Sequence, residues 1–321
     1  MKQKWILWLA LMLIVILIGL LAHDLFSGKR ENLTNVYEYQ LDKFKNVDSG
    51  ILCYKEKLQI KLQGTDFGGI AVDRADNIYI ASANLVQQYN KNGDFIFSFK
   101  IQDTALSIAI HPSREILIGM RNYLERYSEK GALIQQWEQF NKAAYFTSIA
   151  ADDSSVFVAD AGNKIVHRFN KDGKRIMEIG KKDKDKGIPG FFIPSPYFDV
   201  LFDKSGQLWA INTGRHAFEA YTIDGELITR WERTSMSIDG FSGCCNPTHV
   251  AVLSDGSFVT SEKGIARVKI HNKNGDFSCL VAGPDEFAEG TVGLDLAVDS
   301  KDRIILLDPV KALVRIYTNL N

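Results

Sequence analysis

This chain of 321 residues contains few prolines and few cysteines, and its net charge is close to zero. Seven prolines and 25 glycines are too few for a collagen-like or largely disordered protein. Four cysteines are too few for a small scaffold that depends on disulfides throughout. The 38 lysines and arginines are offset by 39 aspartates and glutamates, so no positive excess is available to neutralise phosphates. We therefore expect a folded protein that does not bind nucleic acid.

Local sequence motifs for common enzyme chemistries are also missing. The sequence contains no glycine-rich phosphate loop, no nucleophile elbow and no Cys-x-x-Cys pair. Helical periodicity is absent beyond the N-terminal segment. The function must therefore be inferred from the fold and from the residues that it brings together.

The N-terminus carries a long apolar run without charged residues. Trp5 to Ala22 is eighteen residues long and follows Lys2 and Lys4. A helix of that length covers about 27 Å, close to the roughly 30 Å hydrocarbon core of a bilayer. The run predicts a signal anchor or transmembrane helix within residues 1–22. A cleaved signal peptide is the alternative.

The region after this run is predicted to be a stalk, over residues 23–50, because it is polar and weakly patterned. Basic residues flank both sides of the apolar run, so they give little information on orientation. A short N-terminal tail followed by most of the chain is typical of a signal anchor. We therefore expect a single-pass membrane protein, attached through residues 5–22, with its folded domain in the periplasm or outside the cell.

One pattern recurs along residues 51–321, where a short apolar segment returns at regular intervals. Its central residues are Ile70, Ile108, Ile149, Val200, Val250 and Leu296, spaced 38, 41, 51, 50 and 46 residues apart. Each is followed by a turn, a second strand, a loop, an alternating third strand, a tight turn and a fourth strand. Four short antiparallel strands in roughly 40 residues are typical of a β-propeller blade. The six copies predict an all-β, six-bladed β-propeller.

The tight turns and the chain ends agree with this prediction. The predicted turns are Asn92-Gly93, Lys130-Gly131, Asp172-Gly173, Asp224-Gly225 and Asn274-Gly275. Glycine in such turns allows the positive φ that short hairpins require. The last repeat stops after its third strand, whereas the stretch 51–62 precedes the first repeat. We predict that this stretch supplies the missing outer strand and removes the open sheet edge.

The third repeat resembles an NHL repeat, through the string VFVADAGNKIVHRF that begins at Val156 and the following Asp172-Gly173-Lys174. The other five copies match more loosely. The resemblance implies a six-bladed NHL-type propeller over residues 51–321. NHL proteins include protein-binding and RNA-binding modules as well as enzymes such as peptidyl-hydroxyglycine lyases, so the family does not select a function. The segment from Cys244 to Phe287 also resembles bacterial membrane-anchored propellers that carry a Cys-Cys-Asn-Pro motif.

The loops before each repeat and those after each second strand should share one face, which we call the top face. The two longest insertions, residues 180–198 and 230–248, belong to this face. Long loops on one face commonly carry binding sites. We therefore expect the top face to bind a protein, a peptide or a glycan.

The residue before each central position should lie at the mouth of the channel. Blades four to six place Asp199, His249 and Asp295 there, and this set suits a divalent metal such as zinc, calcium or copper. The alternative is that each aspartate caps its own loop through backbone N–H groups. Candidate ligand-binding residues on the top face are Asp199, Asn212, Arg215, His216, Glu262, Asp295 and Asp308.

Cys244 and Cys245 are adjacent, and Asn246 and Pro247 follow them. A disulfide between neighbours is strained, since their Cα atoms are about 3.8 Å apart, and a strained bond suits a redox role. Alternatively one thiolate and His249 bind zinc or copper, one of the pair bonds to Cys279, or both are buried thiols. Cys53, by contrast, is predicted to lie in the core.

Three functions remain open from the sequence. The leading one is an extracytoplasmic binding or scaffold module. The first alternative is a metal-dependent lyase or hydrolase that uses His249, Asp199 and Asp295. The second is a redox or metal-handling protein that uses Cys244 and Cys245. Sequence leaves the ligand unidentified in all three cases.

Overall fold

The structure is a computed structural model that describes residues 2–27, 47–185 and 187–320. A single helix, α1 (Lys2–Ser27), precedes the β-rich part. In these ranges no helix combines the length and hydropathy expected of a bilayer span, so the predicted anchor is not confirmed. Most of the predicted stalk, residues 23–50, lies outside the described residues.

The β-rich part consists of 24 strands in six antiparallel four-stranded sheets. Blades one to three are formed by β2 (Gly69–Val72), β3 (Ile78–Ala81), β4 (Leu85–Tyr89), β5 (Phe95–Lys100), β6 (Ser107–Ile110), β7 (Ile116–Gly119), β8 (Leu124–Tyr127), β9 (Leu133–Gln136), β10 (Phe146–Ala151), β11 (Ser155–Asp160), β12 (Ile165–Asn170) and β13 (Arg175–Ile179). Blades four to six are formed by β14 (Val200–Phe202), β15 (Leu208–Asn212), β16 (Ala217–Tyr221), β17 (Leu227–Glu232), β18 (His249–Val252), β19 (Phe258–Glu262), β20 (Arg267–His271), β21 (Phe277–Ala282), β22 (Asp295–Val298), β23 (Ile304–Asp308), β24 (Leu313–Asn319) and β1 (Tyr54–Lys61). Each first strand contacts the first strands of both neighbouring blades. This closed inner ring confirms the predicted six-bladed propeller.

The two ends of the β-rich part share the sixth blade. β1 pairs antiparallel with β24, from Tyr54 opposite Asn319 to Lys61 opposite Leu313. The sheet order is β1-β24-β23-β22, so β1 is the outer strand. The strand Tyr54–Lys61 thus lies within the stretch 51–62 that the sequence assigns to the last blade, and the pairing removes the open edge of β24.

A disulfide between Cys53 and Cys279 lies beside this closure and joins residues 226 positions apart. The chain before β1 runs along β21, where the Cys53 amide donates to the Leu280 carbonyl at 3.0 Å. This path brings the Cα atoms of the two cysteines to 5.9 Å, a separation that a disulfide can span. Cys53 packs against the core, as predicted, but its sulfur is in the disulfide, and the alternative bond between Cys279 and Cys244 or Cys245 is therefore wrong.

The tight turns pack against the preceding blade. Gly173 and Gly275 have φ values of 84° and 86°, as the turn prediction requires. A Cβ atom would lie 2.6 Å from the Trp137 indole at the first glycine and 2.4 Å from the Trp231 indole at the second. Glycine is therefore required at both turns for its φ and for the close approach of the indole.

Candidate functional site

The inner ring brings Asp199, His249 and Asp295 together at the channel mouth. His249 and Asp295 begin β18 and β22, and Asp199 directly precedes β14. Nδ1 of His249 lies 3.2 Å from an oxygen of Asp295 and 3.9 Å from an oxygen of Asp199. The three side chains predicted to share one opening thus form a His-carboxylate cluster.

Asp199 joins three neighbouring blades. Its Oδ1 accepts the Val200 amide of its own blade at 2.9 Å and also the hydroxyl of Ser148 in blade three. Its Oδ2 accepts the Val250 amide of blade five at 2.8 Å. The carboxylate therefore holds adjacent inner strands in register.

Asp295 has the same role where the ring closes. Its Oδ2 accepts the Ile70 amide of blade one at 2.9 Å. Its Oδ1 accepts the Leu296 amide at 2.7 Å and faces the His249 ring. Both aspartates therefore cap a backbone N–H of their own blade, as the alternative interpretation of the sequence proposes. Each also accepts a hydrogen bond from the next blade.

These hydrogen bonds use part of the acceptor capacity of the cluster. Every oxygen of the Asp199 and Asp295 carboxylates accepts a backbone N–H. Within the part of the chain that the structure describes, no group of three His, Cys, Asp or Glu residues is arranged to hold a metal ion. The predicted zinc, calcium or copper site is therefore not confirmed.

Burial changes the acidity of Asp199. Desolvation raises its pKa to about 6, and the Asp295 carboxylate acts in the same direction. His249, the Ser148 hydroxyl and the Val250 amide act against this rise. Asp199 therefore exchanges its proton near neutral pH, beside the imidazole.

A cavity of about 370 Å³ lies at the top face over the cluster. Its walls include His249, Asp295 and three apolar or aromatic residues, Leu106, Tyr145 and Tyr197. The channel, about 310 Å³ in volume, is also lined by His249 and Asp295. The imidazole thus stands at the boundary between the two spaces, with 17% of its side chain exposed.

Tyr197 is a cavity residue outside the predicted site set, although an aromatic in the insertion 180–198 could line a pocket or seal a blade junction. The Tyr197 ring meets the His249 ring edge-on, with centroids 5.9 Å apart. Nζ of Lys263 lies 4.8 Å from the centroid of Tyr197 and 3.4 Å from the Ser195 hydroxyl. Its position two residues before Asp199 is the feature of the sequence that could have placed Tyr197 near the channel mouth.

Three of the predicted top-face residues lie inside their blades. Asn212, Glu262 and Asp308 are the last residues of β15, β19 and β23, and each is buried. Asn212 donates to Glu219 at 2.9 Å, and Glu262 accepts Arg267 at 2.8 Å. The first two therefore fix neighbouring strands of one sheet, and none of the three is among the residues that line the cavity.

His216 and Arg215 lie next to each other but differ in exposure. His216 is buried, and its Nδ1 lies 2.8 Å from the Asn246 carbonyl. Arg215 is exposed to solvent. His216 thus supports the loop that carries Cys244 and Cys245, and both thiols are free.

Comparisons with known proteins support the fold. No family profile matches this sequence, and no curated protein matches it. Virginiamycin B lyase from Staphylococcus aureus is similar in structure, with 14% identity, a TM-score of 0.61, and coverage of 83% of this chain and 100% of that chain. A catalytically inactive histidine-to-alanine variant of that lyase, solved with quinupristin, gives 14% identity, a TM-score of 0.54 and the same coverage. A gluconolactonase from Xanthomonas campestris gives 15% identity, a TM-score of 0.57, and coverage of 81% and 88%.

At these identities the likeness shows a six-bladed propeller and no more. The resemblance of the Val156 segment to NHL repeats is not shown by these matches. The resemblance of the Cys244 segment to anchored propellers is likewise not shown.

Proposed function

We propose that this protein binds a substrate with polar and apolar parts at the top-face cavity and that His249 moves a proton there, in a lyase-type or hydrolase-type reaction. The observation that carries this proposal is the 3.2 Å contact between His249 Nδ1 and Asp295 at the cavity wall. A carboxylate on one ring nitrogen orients an imidazole and stabilises its protonated form. The other nitrogen, Nε2, is then available to accept a proton from the substrate or return it.

The surrounding residues have separate roles in this proposal. Asp295 is a positioning residue, held by two backbone amides and aligned on His249. Asp199 carries a second exchangeable proton near neutral pH, because burial raises its pKa to about 6. Tyr145 and Tyr197 provide aromatic walls that bind the apolar part of a substrate.

One structural neighbour supports a search for histidine chemistry, because it is a lyase whose histidine-to-alanine variant is catalytically inactive. A second neighbour, a gluconolactonase, supports a search for hydrolase activity. Fold likeness at this distance does not transfer a substrate.

A binding module for a protein, a peptide or a glycan is the second candidate. It is favoured by the hydrogen bonds that Asp199 and Asp295 accept from the Val250 and Ile70 amides. These bonds link neighbouring blades, and this structural role alone accounts for both aspartates. In that case His249 is a further member of the ring, and the cavity only binds its ligand.

Activity assays with matched variants separate the two candidates. The purified protein is assayed with quinupristin and gluconolactone, as the wild type, as His249→Asn and as His111→Asp. His111 is a suitable control because it lies in the turn after β6 and its Nδ1 bonds only to its own turn, at Ser113. We expect turnover that falls at least about 100-fold in His249→Asn and persists in His111→Asp. Equal turnover in all three would contradict the catalytic role, and binding without turnover would favour the binding module.

We further propose that residues 5–22 attach the protein to a membrane and that the propeller lies on the extracytoplasmic side. The uncharged apolar run supports the attachment. The Cys53–Cys279 disulfide supports the compartment, since structural disulfides persist in oxidising environments. Fractionation of cells that express the full chain or a variant lacking residues 1–22 tests the attachment. Protease treatment of cells whose outer envelope is opened while the cytoplasmic membrane stays intact tests the side, and a propeller protected from the protease would contradict it.

A further inference from the structure

The adjacent thiols of Cys244 and Cys245 already point towards each other. Their sulfur atoms are 3.1 Å apart, closer than the van der Waals contact of two sulfurs. Cys244 is exposed, whereas Cys245 is 1% exposed. One thiol is therefore reachable by a reagent in solution, and the other is placed to react only with its neighbour.

The loop around the pair is fixed at both ends by Asn246. The amide of this buried side chain donates to the Ser242 carbonyl at 2.7 Å and to the Lys263 carbonyl at 3.0 Å. Its side-chain oxygen accepts the Lys263 amide at 2.9 Å. The bond to Ser242 closes a short loop that contains the two cysteines. A change at the sulfur atoms therefore leaves the ends of the loop in place.

The buried thiol lies beside two polar residues, Ser195 and Lys263, that connect it to the cavity-lining Tyr197. Burial raises the pKa of Cys245, whereas a hydrogen bond with Ser195 and the positive charge of Lys263 favour its thiolate. Lys263 Nζ also lies against the ring of Tyr197, which meets the His249 ring. A continuous set of contacts thus runs from the Cys245 sulfur to the cavity wall.

We propose that Cys244 and Cys245 form a reversible dithiol–disulfide site at the rim of the cavity, and that its oxidation state is transmitted through Ser195 and Lys263 to Tyr197. The formation of this bond does not depend on the proposed catalytic role of His249. The Cys53–Cys279 bond shows that the same chain holds a disulfide elsewhere.

The oxidant in this reaction is a small or protein disulfide. The Cys244 thiolate attacks one sulfur of the oxidant, forms a mixed disulfide and releases one thiolate. The Cys245 thiolate then attacks the Cys244 sulfur, which breaks the mixed disulfide and releases the second thiolate. Overall, the two cysteines lose two protons and two electrons, and the oxidant is reduced to two thiols. Reduction by a dithiol reverses both steps.

The bond itself is tested by mass spectrometry of the full chain after incubation with glutathione and glutathione disulfide in a series of ratios. The free thiols are alkylated, and the peptide with both cysteines is analysed. We expect that peptide to lose two hydrogens in the oxidising mixtures, with no glutathione attached and no alkylation. The Cys245→Ser variant should instead keep glutathione on Cys244. A wild-type peptide that keeps glutathione, or that is alkylated twice in every mixture, would overturn the proposal.

The transmission to the cavity is tested by NMR of protein with isotope-labelled tyrosine. The Tyr197 ring signals are assigned with Tyr197→Phe and compared in the reduced and oxidised forms. We expect them to shift on oxidation in the wild type and to stay constant in Cys244→Ser, which lacks the exposed thiol, under the same conditions. Matching thermal unfolding of Cys244→Ser and the wild type shows that the variant is folded. Unchanged Tyr197 signals in an oxidised wild type would refute the transmission.

Discussion

Loss of the Cys53–Cys279 disulfide should lower the free energy of unfolding of the propeller. The bond closes a loop of 226 residues between the outer strands of blades five and six. The chain-entropy relation gives about 5 kcal/mol for a loop of this length at 25 °C. Residual structure in the unfolded chain lowers this value, so we expect a loss of about 2 to 5 kcal/mol in Cys53→Ala/Cys279→Ala.

The assay is equilibrium unfolding in guanidinium chloride, followed by far-UV circular dichroism. The double variant is compared with the wild type in oxidised form, and the difference is read from the transition midpoints. Cys244→Ser is the matched control, because it removes a thiol but leaves the distant bond intact. A reducing agent should move the wild type to the midpoint of the double variant.

The expected loss arises in the unfolded chain, where the bond keeps two distant segments together. In the folded protein the segment before β1 is held beside blade five by the disulfide and by the Cys53 amide. A loss below about 1 kcal/mol would mean that the two chain ends stay associated in the unfolded state. The expectation that the disulfide stabilises the protein by restricting the unfolded chain would then be refuted.

Two further predictions concern a turn and a buried acid. Gly173→Ala should destabilise the protein by about 1 to 3 kcal/mol in the same assay, because its φ is 84° and its Cβ would lie 2.6 Å from Trp137. Gly206→Ala is the control, since its φ is 82° but no atom lies within 4 Å of a Cβ there, so its loss should be smaller. For Asp199, whose pKa is raised to about 6, the folded state binds its proton more tightly than the unfolded state does. Stability from this group is therefore present at pH 4 and lost as the pH rises through 6, by about 3 kcal/mol in total. Asp199→Asn should lack this loss, and parallel curves of unfolding free energy between pH 4 and 7 would contradict the expectation.

The periodic part of the fold could be predicted from the sequence. Apolar segments at regular spacing determine the blades, and the glycine in turns such as Asp172-Gly173 marks the sharp reversals. Closure by residues 51–62 followed from counting strands. These features follow from local sequence patterns, which can be seen in a single sequence.

The partners of individual polar side chains could not be predicted in the same way. Asn212 and Glu262 stand at the end of a second strand, where a side chain can face the cavity or its own sheet. They face the sheet because Glu219 and Arg267 on the next strand supply a partner. The disulfide between Cys53 and Cys279 likewise forms because two distant segments lie side by side. No local sequence pattern predicts that contact.

Asp295 has both structural hydrogen bonds and the proposed catalytic contact with His249. Variants of these two residues therefore distinguish the two candidate functions. The Asp295 carboxylate accepts amides from Ile70 and Leu296 and also faces His249. Asparagine has one acceptor oxygen in place of two, so Asp295→Asn should lose about 1 to 3 kcal/mol of stability as well as activity. His249→Asn leaves those amide bonds in place, and we expect it to change stability by less than about 1 kcal/mol while activity falls. Unfolding and turnover measured on both variants check this difference. If His249→Asn destabilised the protein as much as Asp295→Asn, the imidazole would be a structural member of the inner ring, and the catalytic proposal would lose its main support.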